Sequence, residues 1–386
     1  MTYHPYQIAI PQAALDDLKE RLRRTRWPDE VRDAAWDYGV PLAVMQDFAA
    51  YWETAFDWRA QEQRINMFGN YRIELQNVGV HFVYERGQGP KPIPLLITHG
   101  WPSSFLEMLD LIPLLTDPAR YGGDPADAFD VIVPSIPGYA FSDRPLQRGF
   151  TYPDVAELWI KLMDALGYQR FGAHAHDHGA AIMTRVNVAH PERIIGYHTT
   201  EPSLPGPNVT LESPDLSAAE RAFLEMRSQW QTQDDGYARM QSTRPQTLAY
   251  SLTDSPIGLA AWLLDKWFVW TAPPTGNLED CFSKDFLLST ITLYWLTETA
   301  NATGRAYYEG QHNTRRLPGD FTIRVPTGVS LVHTQPIERP PQEFAARRYR
   351  DIRYWSELGR GGHFVAGEAP MLLADSIRAF FRLIRA

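Results

Sequence analysis

An aspartate lies between two small residues where the sequence changes from strand-like to helix-like. Residues 175–179 read Ala-His-Asp-His-Gly, after a short apolar segment at 170–174 and before a helical segment at 179–189. Small residues on both sides permit a sharp turn that exposes the central side chain, which is the pattern of a nucleophile elbow. Because an aspartate before a helix can also be a simple N-cap, the assignment of Asp177 as a nucleophile needs support from elsewhere in the chain.

Two further segments provide that support. Residues 99–102, His-Gly-Trp-Pro, follow an apolar run at 94–98, so that the backbone amides of Trp101 and His178 could together form an oxyanion hole. Near the carboxyl end, His363 lies in a Gly-Gly-His-Phe loop. An early nucleophile followed by a late histidine is the order typical of α/β-hydrolases.

The segments around these residues alternate between strands and helices. Short apolar runs at 94–98 and 130–134 are typical of strands buried on both faces of a parallel sheet. Weaker strand signals follow at 170–174 and 194–198, and helical segments lie between the strands at 104–115, 154–166 and 179–189. This alternation predicts a mostly parallel, doubly wound α/β sheet.

A helical insert interrupts this alternation. From about residue 202 to 309 the strand signal is replaced by helical runs at 218–231, 246–270 and 286–299, and strands return near 323–333 and 351–355, before a last helix at 368–384. Such an insert predicts a lid over the carboxyl ends of the strands. We therefore divide the chain into an N-terminal meander (1–75), a first part of the core (76–203), a helical lid (204–310) and a second part of the core (311–386).

Motifs along nearly the whole chain resemble the microsomal-type epoxide hydrolases, which have the α/β-hydrolase fold. The matching segments are Arg-Trp-Pro-Asp (26–29), Trp-Asp-Tyr-Gly (36–39) and Asp-Trp-Arg (57–59) in the meander, and 236–237, 243–245, 254–260, 294–295 and 305–309 in the lid. The resemblance implies hydrolysis of an epoxide to a vicinal diol. It also implies that Tyr237 and Tyr307 lie beside the epoxide oxygen, although Tyr308 is an immediate rival of Tyr307.

A carboxylate nucleophile suits this chemistry. Attack by Asp177 on an epoxide carbon would give a hydroxyalkyl ester that water can hydrolyse, whereas a serine would give an ether that activated water could not cleave. Tyrosines can donate to the leaving oxygen because they stay neutral near pH 7. His363 would activate the water, and it needs an acidic partner that fixes its orientation and stabilises its charged form.

The partner of His363 departs from the family pattern. The usual position of the acid carries Gln335, which could hold a ring N–H but could not offset a positive charge, and Glu338 lies three residues later. Some haloalkane dehalogenases carry the acid 24 residues past the nucleophile, and in this chain that residue is Glu201. We therefore expect Glu201, ahead of Glu338, to orient His363.

Composition bounds the remaining possibilities. The net charge of −9 without a Lys/Arg run argues against nucleic acid or anionic membrane as the main partner, and the single Cys281 excludes an internal disulfide. His174, His176 and His178 would splay apart at the elbow, so we expect no metal and no cofactor. We expect a cytoplasmic protein without a membrane anchor, acting on a small-molecule epoxide and water in detoxification or in aromatic-hydrocarbon or natural-product metabolism; a homodimer is left open.

Two other functions are compatible with parts of the sequence. A haloalkane dehalogenase would share the aspartate nucleophile and the Glu201 placement, but its usual halide-binding Asn and Trp are replaced by Trp101 and His178. A non-hydrolytic epoxide cyclase or binding protein could use the same scaffold without a covalent step. The aromatic-rich lid favours an apolar epoxide as substrate.

Overall fold

The computed structural model describes residues 2–205, 209–334 and 336–385. Its strands are β1 (His4–Pro5), β2 (Asn70–Leu75), β3 (Val78–Glu85), β4 (Ile93–Thr98), β5 (Phe129–Pro134), β6 (Phe171–Ala175), β7 (Ile194–Thr199), β8 (Thr327–Leu331) and β9 (Ile352–Glu357). They form one sheet in the order β1-β2-β3-β5-β4-β6-β7-β8-β9. The pairs β1–β2, β2–β3 and β3–β5 are antiparallel, and every pair from β5 to β9 is parallel. The predicted mostly parallel sheet is confirmed.

Helices cover both faces of this sheet and extend beyond it. They are α1 (Gln12–Arg23), α2 (Leu42–Thr54), α3 (Trp58–Asn66), α4 (Leu111–Thr116), α5 (Tyr152–Ala165), α6 (Asp177–Ala189), α7 (Ala218–Asp234), α8 (Gly236–Thr243), α9 (Pro245–Asp254), α10 (Pro256–Thr271), α11 (Lys284–Leu296), α12 (Ala300–His312), α13 (Gln342–Ala346), α14 (Val365–Glu368) and α15 (Pro370–Arg382). Helices α5 and α6 pack together, as do α4 and α15. All six residues of β5 are buried, as expected for a strand between two helical layers.

Helix α15 approaches the sheet where three strands carry glycine. A Cβ atom built on Gly328 of β8 would lie 2.6 Å from the ring of Phe380, and one built on Gly172 of β6 would lie 2.5 Å from the ring of Phe381. Gly196 of β7 is crowded by the same helix. The sequence signals of strands β6 and β7 are weak because both strands carry glycine where the rings of Phe380 and Phe381 pack against the sheet.

Several predicted segments differ from the observed elements. The run 246–270 is two helices, since Pro256 begins α10 and Ser255 is its N-cap, with a side chain that accepts from the amide of Gly258. The run 104–115 is a 3-10 turn, Phe105–Met108, followed by the short α4. The final helix begins at Pro370 because a proline is favoured in the first turn of a helix.

Helices α7 to α12 lie between β7 and β8 in the chain, and the N-terminal segment contacts them. Arg21 forms an ion pair with Asp254 at 3.1 Å, and the ring of Trp36 stacks on that of Phe268 with centroids 3.5 Å apart. The hydroxyl of Tyr51 donates to the carboxylate of Asp285. These contacts tie the helical insert to the first part of the chain. Across the described residues, none of the helices combines the length and apolar character that crossing a membrane requires.

Candidate active site

The turn between β6 and α6 has the geometry of a nucleophile elbow. Asp177 has φ +50°, a left-handed conformation that is uncommon for a residue with a side chain and is concentrated at functional sites. A Cβ atom on Gly179 would lie 2.2 Å from the carbonyl oxygen of Thr98, and one on Gly100 would lie 2.1 Å from Oδ1 of Asp177. The neighbouring glycines are therefore required by close approach of backbone and carboxylate.

Backbone amides surround the carboxylate of Asp177. The amide of Trp101 donates to Oδ1 at 2.7 Å, and the amide of His178 also donates to this carboxylate. Burial alone would raise the pKa of Asp177, but the charges of His178 and His363 and the two amides together hold it below its ordinary value. Asp177 is thus an ionised carboxylate in a largely enclosed site, 15% exposed.

His363 lies on the loop before α14 with its ring between two carboxylates. Its Nε2 is 3.9 Å from Oδ2 of Asp177, and its Nδ1 is 2.5 Å from Oε1 of Glu338. The backbone amide of His363 donates to the carbonyl of Trp270 on α10, which fixes the loop against the helical insert. The three side chains therefore form a continuous series from Asp177 through His363 to Glu338.

The expectation that Glu201 holds His363 is wrong. Oε2 of Glu201 accepts a hydrogen bond of 2.7 Å from the backbone amide of Asp177. Strand β7 ends at Thr199, whose hydroxyl oxygen accepts from the amide of Glu201, so the chain turns and directs the Glu201 carboxylate to the backbone of the elbow. Glu338 takes the place next to the ring, and Gln335 lies outside the described residues.

Glu338 could have been favoured from its position in the chain. It lies in a short 3-10 turn soon after β8, and 25 residues before His363. The acid at this point follows a strand that ends at the same edge of the sheet as β6. The spacing of 24 residues from Asp177 correctly placed Glu201 near the elbow. However, Glu201 contacts the backbone amide of Asp177 and not the ring of His363.

Burial and neighbouring charges shift the pKa values of His363 and Glu201. Burial lowers the pKa of His363, but the charges of Glu338, Asp177 and Glu201 outweigh it and raise the pKa above its ordinary value. Burial, with the charges of Glu338 and Asp177, raises the pKa of Glu201 to about 7. His363 is therefore held in its protonated form while Asp177 carries its charge.

The two tyrosines predicted for the lid both lie above the elbow. Tyr237 of α8 stacks on Trp101 with centroids 5.2 Å apart, and the ring of Tyr307 of α12 is 4.7 Å from that of His178. Burial, aided by the Asp177 charge, raises the pKa of both phenols well above 10, so both remain neutral donors. Tyr308 is 36% exposed and lies outside this cluster, stacked on His312.

The three histidines of the elbow point to three different surroundings. His174 lies against His198, with 2.9 Å between their Nδ1 atoms, and Nε2 of His176 is 3.4 Å from the buried Glu107. Nδ1 of His178 is 3.2 Å from the hydroxyl of Tyr139. The described residues instead bring Glu201, Glu338 and His363 together, with ligand atoms within 4.8 Å of one another, a set that could hold a cation.

Glu107 was missed by the sequence analysis. Its charge interacts with His176, which packs with its ring centroid 5.5 Å from that of His363. Burial raises the pKa of Glu107, but the charge of His176 outweighs it and lowers the pKa. The available signal was an acidic residue inside the apolar run at 104–115, since carboxylates are rarely fully buried without a partner.

A cavity of about 620 Å³ opens from Asp177 and His363. Its inner end is lined by Glu201, Glu338 and Tyr237, and its walls carry apolar side chains: Leu204, Trp230, Trp270, Leu317, Phe321 and Ile337. This volume is in the range of sites for small organic molecules. The site thus joins the ionised Asp177 carboxylate, the protonated His363 and the neutral phenol of Tyr237 at the end of one chamber.

Comparison with known proteins agrees with this architecture. Residues 3–108 match the family model described as Epoxide hydrolase N terminus, and residues 93–261 match the model described as alpha/beta hydrolase fold. A Stigmatella aurantiaca (strain DW4/3-1) protein, itself only provisionally described as an epoxide hydrolase, is 43% identical over 99% of this chain and 85% of its own length. Epoxide hydrolase 1 of Sus scrofa is 32% identical over 98% of this chain and 88% of its own.

Among solved structures, juvenile hormone epoxide hydrolase from the silkworm Bombyx mori superposes with a TM-score of 0.90 at 26% identity, over 100% of this chain and 95% of that chain. The fold and the elbow define an enzyme of the α/β-hydrolase class. Within that class, the chain belongs to the epoxide hydrolase family.

Proposed function

We propose that this enzyme opens an epoxide to a vicinal diol through a covalent ester on Asp177. The observation that carries the proposal is the ionised Asp177 carboxylate, held by the Trp101 amide on one oxygen and facing His363 with the other. Family membership supports epoxide hydrolysis as the reaction. The assignment of steps to residues rests on the distances and charges within the site.

In the first step Oδ2 of Asp177 attacks an epoxide carbon. The C–O bond of the ring breaks, its electron pair goes to the epoxide oxygen, and that oxygen takes a proton from Tyr237 or Tyr307. Neutral phenols in a dry site can hydrogen-bond the developing alkoxide, which lowers the barrier to ring opening. The product of this step is a hydroxyalkyl ester of Asp177.

In the second step water attacks Cγ of that ester. Ester formation removes the negative charge of Asp177, which had raised the pKa of His363, and the pKa of His363 therefore falls. His363 gives its proton to the phenolate left by the first step and accepts a proton from water at Nε2, while Glu338 stabilises the imidazolium. This imidazolium then donates its proton to Oδ2 as the diol leaves. The tetrahedral intermediate places its oxyanion at the amides of Trp101 and His178, the Cγ–Oδ2 bond breaks, and the diol leaves with Oδ2.

Single-turnover labelling tests the covalent route. With enzyme in excess over epoxide in heavy-oxygen water, the first diol released should contain no label, and the peptide that contains Asp177 should gain one heavy oxygen. A label in the first diol would overturn the covalent route in favour of direct attack by water. A cyclic product with no labelled peptide would point to a cyclase.

The tyrosines should act on the first step alone. We expect Tyr237→Phe to slow alkylation of Asp177 by on the order of 10²-fold, because one donor to the epoxide oxygen is lost, while hydrolysis of ester already formed is unchanged. Rapid-quench measurement of the covalent intermediate separates the two rates. Tyr308→Phe, which alters the exposed neighbour of Tyr307, serves as the matched control, and equal slowing in it would contradict the assignment.

A further inference from the structure

Four arginines line the active-site cavity. Arg185, Arg227, Arg316 and Arg348 all border the chamber that contains Asp177. Arg185, Arg316 and Arg348 donate to backbone carbonyls, such as that of Arg315 for Arg185 and that of Leu204 for Arg348. Within residues 2–205, 209–334 and 336–385, no carboxylate forms an ion pair with any of the four, and Arg227 has no hydrogen-bond partner.

The cavity has a defined direction along α6. Asp177, Ala181 and Arg185 are spaced four residues apart and all line the chamber, so they share one face of the helix. Eight residues at 1.5 Å each place the backbone of Arg185 about 12 Å along the axis from that of Asp177. The apolar side chains of Leu204, Phe321 and Ile337 contribute to the wall of the same chamber.

Burial makes these cations costly without an anionic partner. Burial lowers the pKa of Arg185, and the charge of Arg315 lowers it further. Burial also lowers the pKa of Arg227 and of Arg348. Buried guanidinium groups are normally paired with anions. Among the described residues none of these three forms an ion pair, and a negative group on the ligand would supply that partner.

We propose that the arginine end of this cavity binds an anionic group of the substrate, so that the enzyme acts on an epoxide joined by an apolar spacer to a carboxylate or a similar oxyanion. This inference rests on the proposed function and narrows the apolar epoxide expected from the aromatic lid. Arg227 of the helical insert and Arg185 of α6 come from different elements and both line this cavity, so a carboxylate bound there could accept hydrogen bonds from donors on both elements.

Arg227 also interacts with Glu201, whose charge raises the pKa of Arg227. A role restricted to this electrostatic contact would affect every substrate in the same way. A role in binding the substrate anion would affect only the charged substrate. The two roles therefore predict different effects of an Arg227 substitution on the ratio of kcat/KM between a charged substrate and its uncharged analogue.

The test uses an aliphatic epoxide whose chain ends in a carboxylate and the same molecule ending in a primary amide. We expect wild-type kcat/KM to favour the carboxylate by about tenfold or more, and Arg227→Gln or Arg185→Gln to reduce that ratio by about tenfold, because a charge-assisted hydrogen bond is lost. Raising the salt concentration should reduce the ratio as well. Arg221→Gln, on the same helix α7 but outside the cavity, is the control and should leave the ratio unchanged.

The outcomes separate this inference from the proposed function. A wild-type ratio near one, or a ratio unchanged in both variants, overturns the anion site even if both epoxides are hydrolysed. Equal slowing of both substrates by Arg227→Gln also overturns the anion site. In that case the role of Arg227 is its electrostatic contact with Glu201. Calorimetry with the two diol products makes the same comparison without turnover. If the carboxylate diol binds more tightly than the amide diol, and Arg227→Gln removes this difference, the anion site is supported. Equal binding of both diols to the wild-type enzyme contradicts it.

Discussion

The His363→Ala variant is expected to react with one equivalent of epoxide and then stop. In this variant the amides of Trp101 and His178 still bind the Asp177 carboxylate, so alkylation continues, whereas the ester has lost the base that activates water. Hydrolysis should fall by about 10³-fold or more. Intact-protein mass spectrometry should show an increase equal to the mass of the epoxide.

Asp177→Ala is the matched control for this experiment. It should show neither the mass increase nor diol formation, and its peptide map should carry no modification. An unmodified His363→Ala protein would contradict the assignment of His363 to the second step. Modification of both variants would place the covalent bond on a side chain other than Asp177.

The second large expected effect is on ester hydrolysis, and it distinguishes Glu338 from Glu201. We expect Glu338→Gln to slow ester hydrolysis by on the order of 10³-fold, because the imidazolium that forms during the step loses its buried counter-charge. Glu201→Gln should slow the same step by less than about tenfold, since its amide oxygen can still accept from the Asp177 backbone. The two variants therefore differ although both change one buried glutamate to its isostere.

Rapid-quench kinetics on each variant measures this difference directly. Covalent enzyme should accumulate in Glu338→Gln and should remain at the wild-type level in Glu201→Gln. Because the pKa of Glu201 is raised to about 7, the Glu201→Gln profile should also lack an ionisation near neutral pH. Equal accumulation in the two variants would show that the contact with the ring does not decide which glutamate serves the second step.

The sequence predicted those features that depend on local pattern. Asp177 and Gly179 could be placed in an elbow because a sharp turn between strand and helix requires small neighbours, and the structure shows the close approach responsible. The parallel sheet followed from buried apolar runs such as Phe129–Pro134. Tyr307 could be preferred to Tyr308 only through resemblance, and the exposure of Tyr308 agrees with that preference.

The remaining features depend on how distant segments meet. Glu201 and Glu338 lie within a few ångströms of the same ring, and the end of β7 decides which atom each can reach. The pairing of Glu107 with His176 and the presence of Arg185 and Arg227 in one cavity lining likewise join segments far apart in the chain. No spacing rule encodes such contacts, because they arise from the packing of the insert and the loops on the sheet.

The hydrogen bond from the Trp101 amide makes the two oxygens of Asp177 inequivalent. Oδ1 is held at the backbone, while Oδ2 faces His363 and is the atom that reacts in the proposed route. Each cycle then exports Oδ2 in the diol and replaces it with an oxygen from solvent, whereas Oδ1 stays in place. In that route the carboxylate is partly consumed and rebuilt at every turnover, because one of its two oxygens is replaced by an oxygen from solvent.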